Sequence, residues 1–143
     1  MLTFTIKRLE EITLADEKAM LDSMAKFFID EFNGDKEFVY SHSERYEYVF
    51  VRCNDEVVGM TIIDNMSNVK FIPKLYVRDE SRGLGVGKAL IDYVFNRIET
   101  NHVVQLGVLK EDDKLLDWYL GQNFIPYKQQ CIEKAILLYK KKD

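Results

Sequence analysis

Between Arg82 and Lys88 the chain places glycine at 83, 85 and 87, so three glycines alternate between two cations. Glycine takes positive φ at little steric cost, which lets successive backbone N–H groups point into one concavity. An apolar-periodic segment follows. Val86, Ala89, Leu90, Tyr93, Val94, Arg97 and Ile98 fall on one broad helical face. The first N–H groups of a helix lack carbonyl partners and carry about half a positive charge. Loop and helix start together make an anion site suited to phosphate. Arg82 and Lys88 add full charges at its rim. The plainer alternative is a loop that only turns, but alternating glycines weaken a helix start unless the backbone needs them.

Two familiar phosphate loops do not fit. A Walker loop needs glycine where Arg82 stands and Ser or Thr where Ala89 stands. A dinucleotide fingerprint built on Gly83 and Gly85 needs glycine at Lys88, and one built on Gly85 and Gly87 needs it at Leu90.

Little else in the chain has metal or nucleophile spacing. Cys53 and Cys131 are far apart in strand-like runs, and His42 and His102 stand alone, so two reduced thiols and no metal are expected. The 143 residues carry 20 Lys plus Arg against 24 Asp plus Glu, a net charge of −4. A mildly acidic chain is a poor general binder of nucleic acid. No apolar run reaches membrane-spanning length, and MLTFTIKRLE lacks a signal-like apolar core, so a cytoplasmic protein without membrane contact is expected. The 47% apolar content is enough for the core of one domain.

The elements that must position the loop can be read from periodicity. Thr3–Lys7 alternates as a strand. Thr13 and Asp16 have the spacing of a helix N-cap, ahead of Met20, Met24, Phe27, Phe28 and Phe32; Gly34 or Asn33 ends that helix. Tyr46–Cys53 and Val57–Asp64 form a hairpin across Asn54-Asp55-Glu56. Val69–Val77 is a fourth strand, and Pro73 within it points to an edge or a bulge. After the glycine loop and its helix come a strand at Val103–Leu109, a helix at Asp112–Gly121, and strands at Ile125–Tyr127 and Ala135–Tyr139. Hairpins mixed with strand–helix–strand units imply an α+β fold on a mixed sheet.

Arg82-Gly83-Leu84-Gly85-Val86-Gly87, preceded by Leu75-Tyr76-Val77 and followed by Ala89-Leu90, resembles motif A (Q/R-x-x-G-x-G/A) of the GNAT family of N-acetyltransferases. Leu106-Gly107-Val108, Asp112, Leu115, Trp118-Tyr119 and Phe124 are similar to its motif B, a strand and then N-x-x-A-x-x-x-Y-x-x-x-G-F. The resemblance covers residues 69 to 127. Asp112 departs from the family's Asn, which bears on one side-chain contact to pantetheine. Asn123 departs from its Gly, at a helix end where Asn tolerates the left-handed conformation. The resemblance implies a GNAT-like, mostly antiparallel central sheet of about seven strands flanked by helices, with residues 1–143 as one acetyltransferase domain.

It further implies acetyl-CoA as co-substrate. The backbone of Arg82, Gly83, Leu84, Gly85, Val86, Gly87 and Lys88 would take the pyrophosphate. Leu75, Tyr76 and Val77 would pair with the pantetheine, a backbone N–H near Leu75 would polarise the thioester carbonyl, and Asp112 would lie beside it. The acceptor would be an amine of a small molecule or a protein. An alkylamine of pKa about 10.4 is neutral about once in 2,500 molecules at pH 7, so a base or a desolvating pocket is required. Tyr119 is the implied proton donor to the departing thiolate; its position also suits a core aromatic. The family often has Glu on the fourth strand. Here VKFIPKLYV offers Phe71, Pro73 and Lys74 but no acid; Asp64, Asp30 and Glu31 are other carboxylates that could serve but read better as ordinary surface charges, so the base is unassigned. A CoA-binding regulatory or sensor domain without turnover is the alternative. Around the first helix, Phe27 and Phe28 suit core packing, while Phe38 and Tyr40 suit an acceptor pocket. Ala135–Tyr139 is apolar; as an exposed edge it would invite pairing with a second chain, making a homodimer.

Overall fold

The computed structural model describes residues 1–32, 39–132 and 135–143, and the side chains of these other than 29–32 and 128–132. Strand β1 (Leu2–Lys7) leads into helix α1 (Ala15–Phe32). The first bond of α1 runs from Lys18 N–H to the Leu14 carbonyl, so Leu14 holds the cap position and Thr13 lies outside it. The expected stops at Asn33 and Gly34 fall outside the described residues.

Strands β2 (Tyr46–Cys53), β3 (Glu56–Met66) and β4 (Val69–Val77) form an antiparallel meander. Asn54 and Asp55 take positive φ of 51° and 68°, the geometry of a tight hairpin turn. Helix α2 (Val86–Arg97), strand β5 (Val103–Leu109), helix α3 (Asp113–Gly121), and strands β6 (Ile125–Ile132) and β7 (Ala135–Lys141) complete the chain. The seven strands order as β1-β2-β3-β4-β5-β7-β6, antiparallel except for β4 with β5. This is the expected α+β architecture.

The expectation that Ala135–Tyr139 lies on an edge is not met. β7 is paired on one side with β5 and on the other with β6. Because β6 and β7 form a hairpin in which the later strand turns inward, the edges of the sheet are β1 and β6. The edge-strand argument for a homodimer therefore falls.

Alternation of side chains divides the core between the two faces of the sheet. Tyr48, Phe50, Met60 and Ile62 pack with Met20, Leu21 and Met24 of α1. Val49, Val51, Ile63, Ile72 and Leu106 pack with Leu90, Ile91 and Val94 of α2, joined by Tyr119 and Phe124. The start of α1 is tied to the sheet by Glu17, which is 1% exposed and meets Lys7 Nζ at 2.6 Å and Arg52 Nη2 at 3.2 Å. Gly59 on β3 sits where a Cβ would meet the Tyr76 carbonyl at 2.9 Å and Val86 Cγ1 at 3.3 Å, so glycine is what lets α2 and β4 close on β3.

Two features of β4 shape the site. Ile62 faces Lys74 and Asp64 faces Phe71, so Ile63 alone opposes Ile72 and Pro73. This is a β-bulge at the proline, where the missing N–H costs no ladder bond. β4 also pairs with β5 only from Val69 to Ile72; beyond the bulge the two parallel strands part.

Candidate functional site

The parting of β4 and β5 leaves backbone groups facing a gap. Antiparallel partners alternate in the direction of their N–H and C=O groups. Arg78 N–H bonds the Val58 carbonyl at 3.0 Å, so in the register of Met60 with Tyr76 and Ile62 with Lys74, those β4 residues turn their backbone toward β3. Leu75 and Val77 then turn theirs the other way, toward β5. Consistently, the Val77 carbonyl is met from that side by Arg82 Nε at 2.9 Å. Leu75 N–H faces the gap without a strand partner.

A cavity of about 340 Å³ fills this gap. Phe71, Pro73, Lys74 and Leu75 of β4 form one wall, Gly107 and Leu109 of β5 the opposite wall, and Asp112, Leu115 and Tyr119 the α3 side. Phe28 of α1 closes it from the other face of the sheet.

Tyr119 is 6% exposed, its ring packed edge-on against Trp118 and Phe124. Burial pushes its phenol up to about 12, so the hydroxyl keeps its proton throughout the neutral range. Among the described residues that hydroxyl has no hydrogen-bond partner. Tyr119 is thus a core aromatic that also lines the cavity with a protonated hydroxyl.

Asp112 stands just before α3, and its Oδ1 accepts the Leu115 N–H at 3.1 Å, capping the helix. Asn123, at the far end, takes φ of 71°, as its place after the helix requires.

The glycine loop borders this gap. Gly83 and Gly85 have φ of 79° and 84°, with open space where a Cβ would project. Gly85 is the N-cap of α2, and the first helical bond runs from Ala89 N–H to the Gly85 carbonyl. The N–H groups of Val86, Gly87 and Lys88 therefore have no carbonyl of the helix to bond. Gly87 differs from the other two: a Cβ there would lie 3.8 Å from both Leu75 Cδ2 and Trp118 Cη2. The first turn of α2 thus lies close to Leu75 and Trp118. Val86 turns its side chain into the core at 5% exposure, while Leu84 is exposed.

The two rim cations are already paired. Arg82 Nη1 meets Asp79 at 2.9 Å, and its guanidinium lies 5.7 Å from the rings of Phe27 and Tyr76. Lys88 Nζ meets Asp92 at 2.6 Å. The backbone of the loop is the part left open to an anion. Tyr76 turns its backbone toward β3 and packs its side chain toward α1, so its neighbours Leu75 and Val77 are the ones that present backbone to the gap.

The candidate bases do not gather here. Asp64 is 6% exposed and held by Arg45, Nε to Oδ1 at 3.0 Å and Nη2 to Oδ2 at 3.2 Å, and it does not line the cavity. The side chains of Asp30 and Glu31 lie outside the described residues, as does Phe38. Tyr40, expected in the pocket, instead hydrogen-bonds Asp22 and lines a separate cleft beside Leu9 and Ile12. Phe28 packs against the α1-side core as expected, and it also lines the cavity. The difference is one of helix facing. Phe28 points across the sheet at the bulge, and Tyr40 comes back along the opposite flank of α1.

Thr61 escaped the sequence reading, which placed Lys74 on the fourth strand but gave it no role. The Thr61 hydroxyl, fully buried on β3, donates to the Lys74 carbonyl at 2.7 Å. Lys74 Nζ lies 4.4 Å from the centre of the Phe28 ring, and burial lowers its pKa from the usual lysine value. The cue available in the sequence was Lys74 one residue after Pro73; a bulge there fixes which way the lysine turns. Among the described residues there is no group of His, Cys, Asp and Glu that could hold a metal ion. No helix is long and apolar enough to cross a membrane.

A family model described as acetyltransferase (GNAT) domain matches residues 12–140. No curated protein matches the chain. Among solved structures, ElaA of Escherichia coli is similar with a TM-score of 0.75 at 18% identity, over 99% of this chain and 100% of that one. An acyl-CoA N-acyltransferase from Pseudomonas aeruginosa gives a TM-score of 0.73 at 14% identity, over 98% and 99%. The Campylobacter jejuni N-acetyltransferase PseH, solved with acetyl coenzyme A, gives 0.70 at 18% identity, over 99% and 100%.

Proposed function

The chain belongs to the GNAT acetyltransferase family, and from that premise we propose that it transfers an acetyl group from acetyl-CoA directly to a primary amine of a small molecule or protein. The observation that carries this reading is the parting of β4 from β5 after Ile72, which turns the Leu75 N–H into a gap bordered by the glycine loop. An extended pantetheine fits such a gap as a strand fits a sheet edge. A pyrophosphate fits the N–H groups of Gly83 to Lys88 at the head of α2. Bound there, acetyl-CoA would supply an activated acyl group as a thioester.

The chain's own residues have defined work in that reaction. The Leu75 N–H donates to the acyl oxygen, where negative charge grows as the amine nitrogen attacks. The new N–C bond forms as the C–S bond breaks, and Tyr119 gives its proton to the leaving sulfur. A phenol held near 12 does not lose that proton to solvent at neutral pH, and it regains one readily after transfer. The apolar walls of Phe71, Pro73 and Leu115 disfavour the charged form of the incoming amine. Water takes the amine proton, since the cavity's one carboxylate among the described residues, Asp112, is engaged as a helix cap. A cytoplasmic setting, where a thiol such as Cys53 stays reduced, suits this chemistry.

That same lack of a free carboxylate favours a second reading, a CoA-binding regulatory or sensor domain without turnover. Thiol release from acetyl-CoA across a panel of amines, with mass detection of acetylated products, separates the two. Release matched by a product of one added acetyl group supports the enzyme. CoA binding with no release for any amine supports the sensor.

A further inference from the structure

We propose that the acceptor at this site is a small amine that also carries a carboxylate, and that Lys74 is the group that binds the carboxylate. The inference rests on the acetyltransferase reading above.

Lys74 immediately precedes Leu75, whose N–H faces the gap, and its side chain lines the same cavity as Tyr119. It therefore stands beside the acyl position, on the α1 side from which Phe28 closes the space. Among the described residues lining the cavity it is the one cation. Lys7 and Lys88 each meet a carboxylate at 2.6 Å. Lys74 meets none among the described residues, and its ammonium rests on the face of Phe28, 4.4 Å from the ring centre. A ring face offsets only part of the solvation that a half-buried ammonium gives up. Among the described lining residues the one carboxylate is Asp112, which caps α3 through its Oδ1 and makes no ion pair with Lys74. The missing partner is an anion that arrives with the ligand.

The reacting nitrogen narrows the choice. A simple monoamine or a polyamine would bring a second positive charge against Lys74. An amino-carboxylate brings its own counter-ion, and once the carboxylate is seated, the lysine charge favours the neutral form of the nearby amine. A cavity of about 340 Å³ that must also admit the acyl end leaves room for a small acceptor. Lys74 is thereby a specificity residue; the proton path through Tyr119 is separate from it.

The test measures thiol release with acetyl-CoA and matched acceptors: the common amino acids, their carboxamides, and simple mono- and diamines. Wild type is compared with K74R, K74M and K74E, each checked for fold by circular dichroism. Wild type should favour carboxylates over carboxamides in kcat/KM by about tenfold or more. K74M should bring that ratio near one, through KM for the acceptor. K74R should keep the preference, since arginine holds the charge but cannot act as a base. K74E should shift the preference toward diamines. Equal use of carboxylates and carboxamides by wild type, or a preference kept in K74M, overturns the inference while leaving the acetyltransferase reading intact. Loss of kcat for all acceptors in both K74R and K74M assigns Lys74 to proton transfer and overturns it too. If acetyl-CoA binds and none of these acceptors is acetylated, this inference fails; the acetyltransferase reading fails with it only if peptide and protein amines are left unacetylated as well.

Discussion

The Thr61 hydroxyl donates to the carbonyl of Lys74 at 2.7 Å, one residue before the N–H that faces the gap between β4 and β5. Thr61 is fully buried on β3, so the bond anchors the strand just past its bulge. Thr61→Val keeps the shape and removes the donor. We expect a loss of about 1 kcal/mol in urea denaturation, typical of one neutral buried bond. The Leu75 N–H loses its anchor with it, so kcat should fall while the thermal response to CoA persists. An unchanged denaturation midpoint would show that the bond does not hold the strand.

Tyr119→Phe keeps the ring packing against Trp118 and Phe124 and deletes a hydroxyl that bonds no described residue. Neutral-pH stability should change by less than about 0.5 kcal/mol. Turnover should fall roughly 10²-fold, in kcat and not in KM for acetyl-CoA, because the proton matters once charge builds on sulfur. Full turnover would leave solvent as the proton source. Lost activity with lost fold would make Tyr119 only a core residue.

The same phenol predicts an alkaline dependence. Its folded value of about 12 lies above the ordinary 10, so the folded state holds the proton more tightly than the unfolded chain. Stability is then fully present below pH 10 and is lost as pH rises from about 10 to 12. The contribution is at most about 3 kcal/mol. Chemical denaturation across that range should give a flatter curve for Tyr119→Phe than for wild type. Parallel curves would contradict the burial of the phenol.

Gly59→Ala tests the closure of the sheet on α2. Its Cβ would meet the Tyr76 carbonyl at 2.9 Å, and a backbone atom cannot swing aside. A loss of about 1–3 kcal/mol is expected. By contrast, Gly87→Ala meets only ordinary contacts at 3.8 Å, so it should leave the thermal midpoint unchanged or higher. Thermal melts check both.

Local chemistry carried much of this fold into view before any coordinates. Asn54-Asp55 marked the hairpin, Pro73 marked the bulge, and the alternating glycines marked the head of α2, because each acts through its own backbone. Features that depend on which elements become neighbours were out of reach. Ala135–Tyr139 reads as a terminal apolar strand, yet it inserts between β5 and β6, an order that hydropathy does not encode. Phe28 packs against the core as its helical spacing suggests, yet it also meets the cavity and Tyr40 does not, because the facing of α1 against β4 decides which aromatic reaches it. Thr13 lost the cap because α1 begins a residue later than its spacing suggested. Lys74 was legible as a site-side residue of the fourth strand, but its setting against Phe28 depends on the bulge and on the facing of α1.

The central claim is that acetyl-CoA binds with its phosphates on the Gly83–Lys88 backbone and its acyl end at Leu75. Calorimetric titration of acetyl-CoA into wild type and Gly85→Val tests it most directly. Gly85 holds φ of 84° with open space before it, so valine there both strains the backbone and fills the approach to the N–H groups. The account predicts one-to-one binding to wild type and no measurable binding to a Gly85→Val protein that is still folded by circular dichroism. Equal affinity in the two proteins would contradict it.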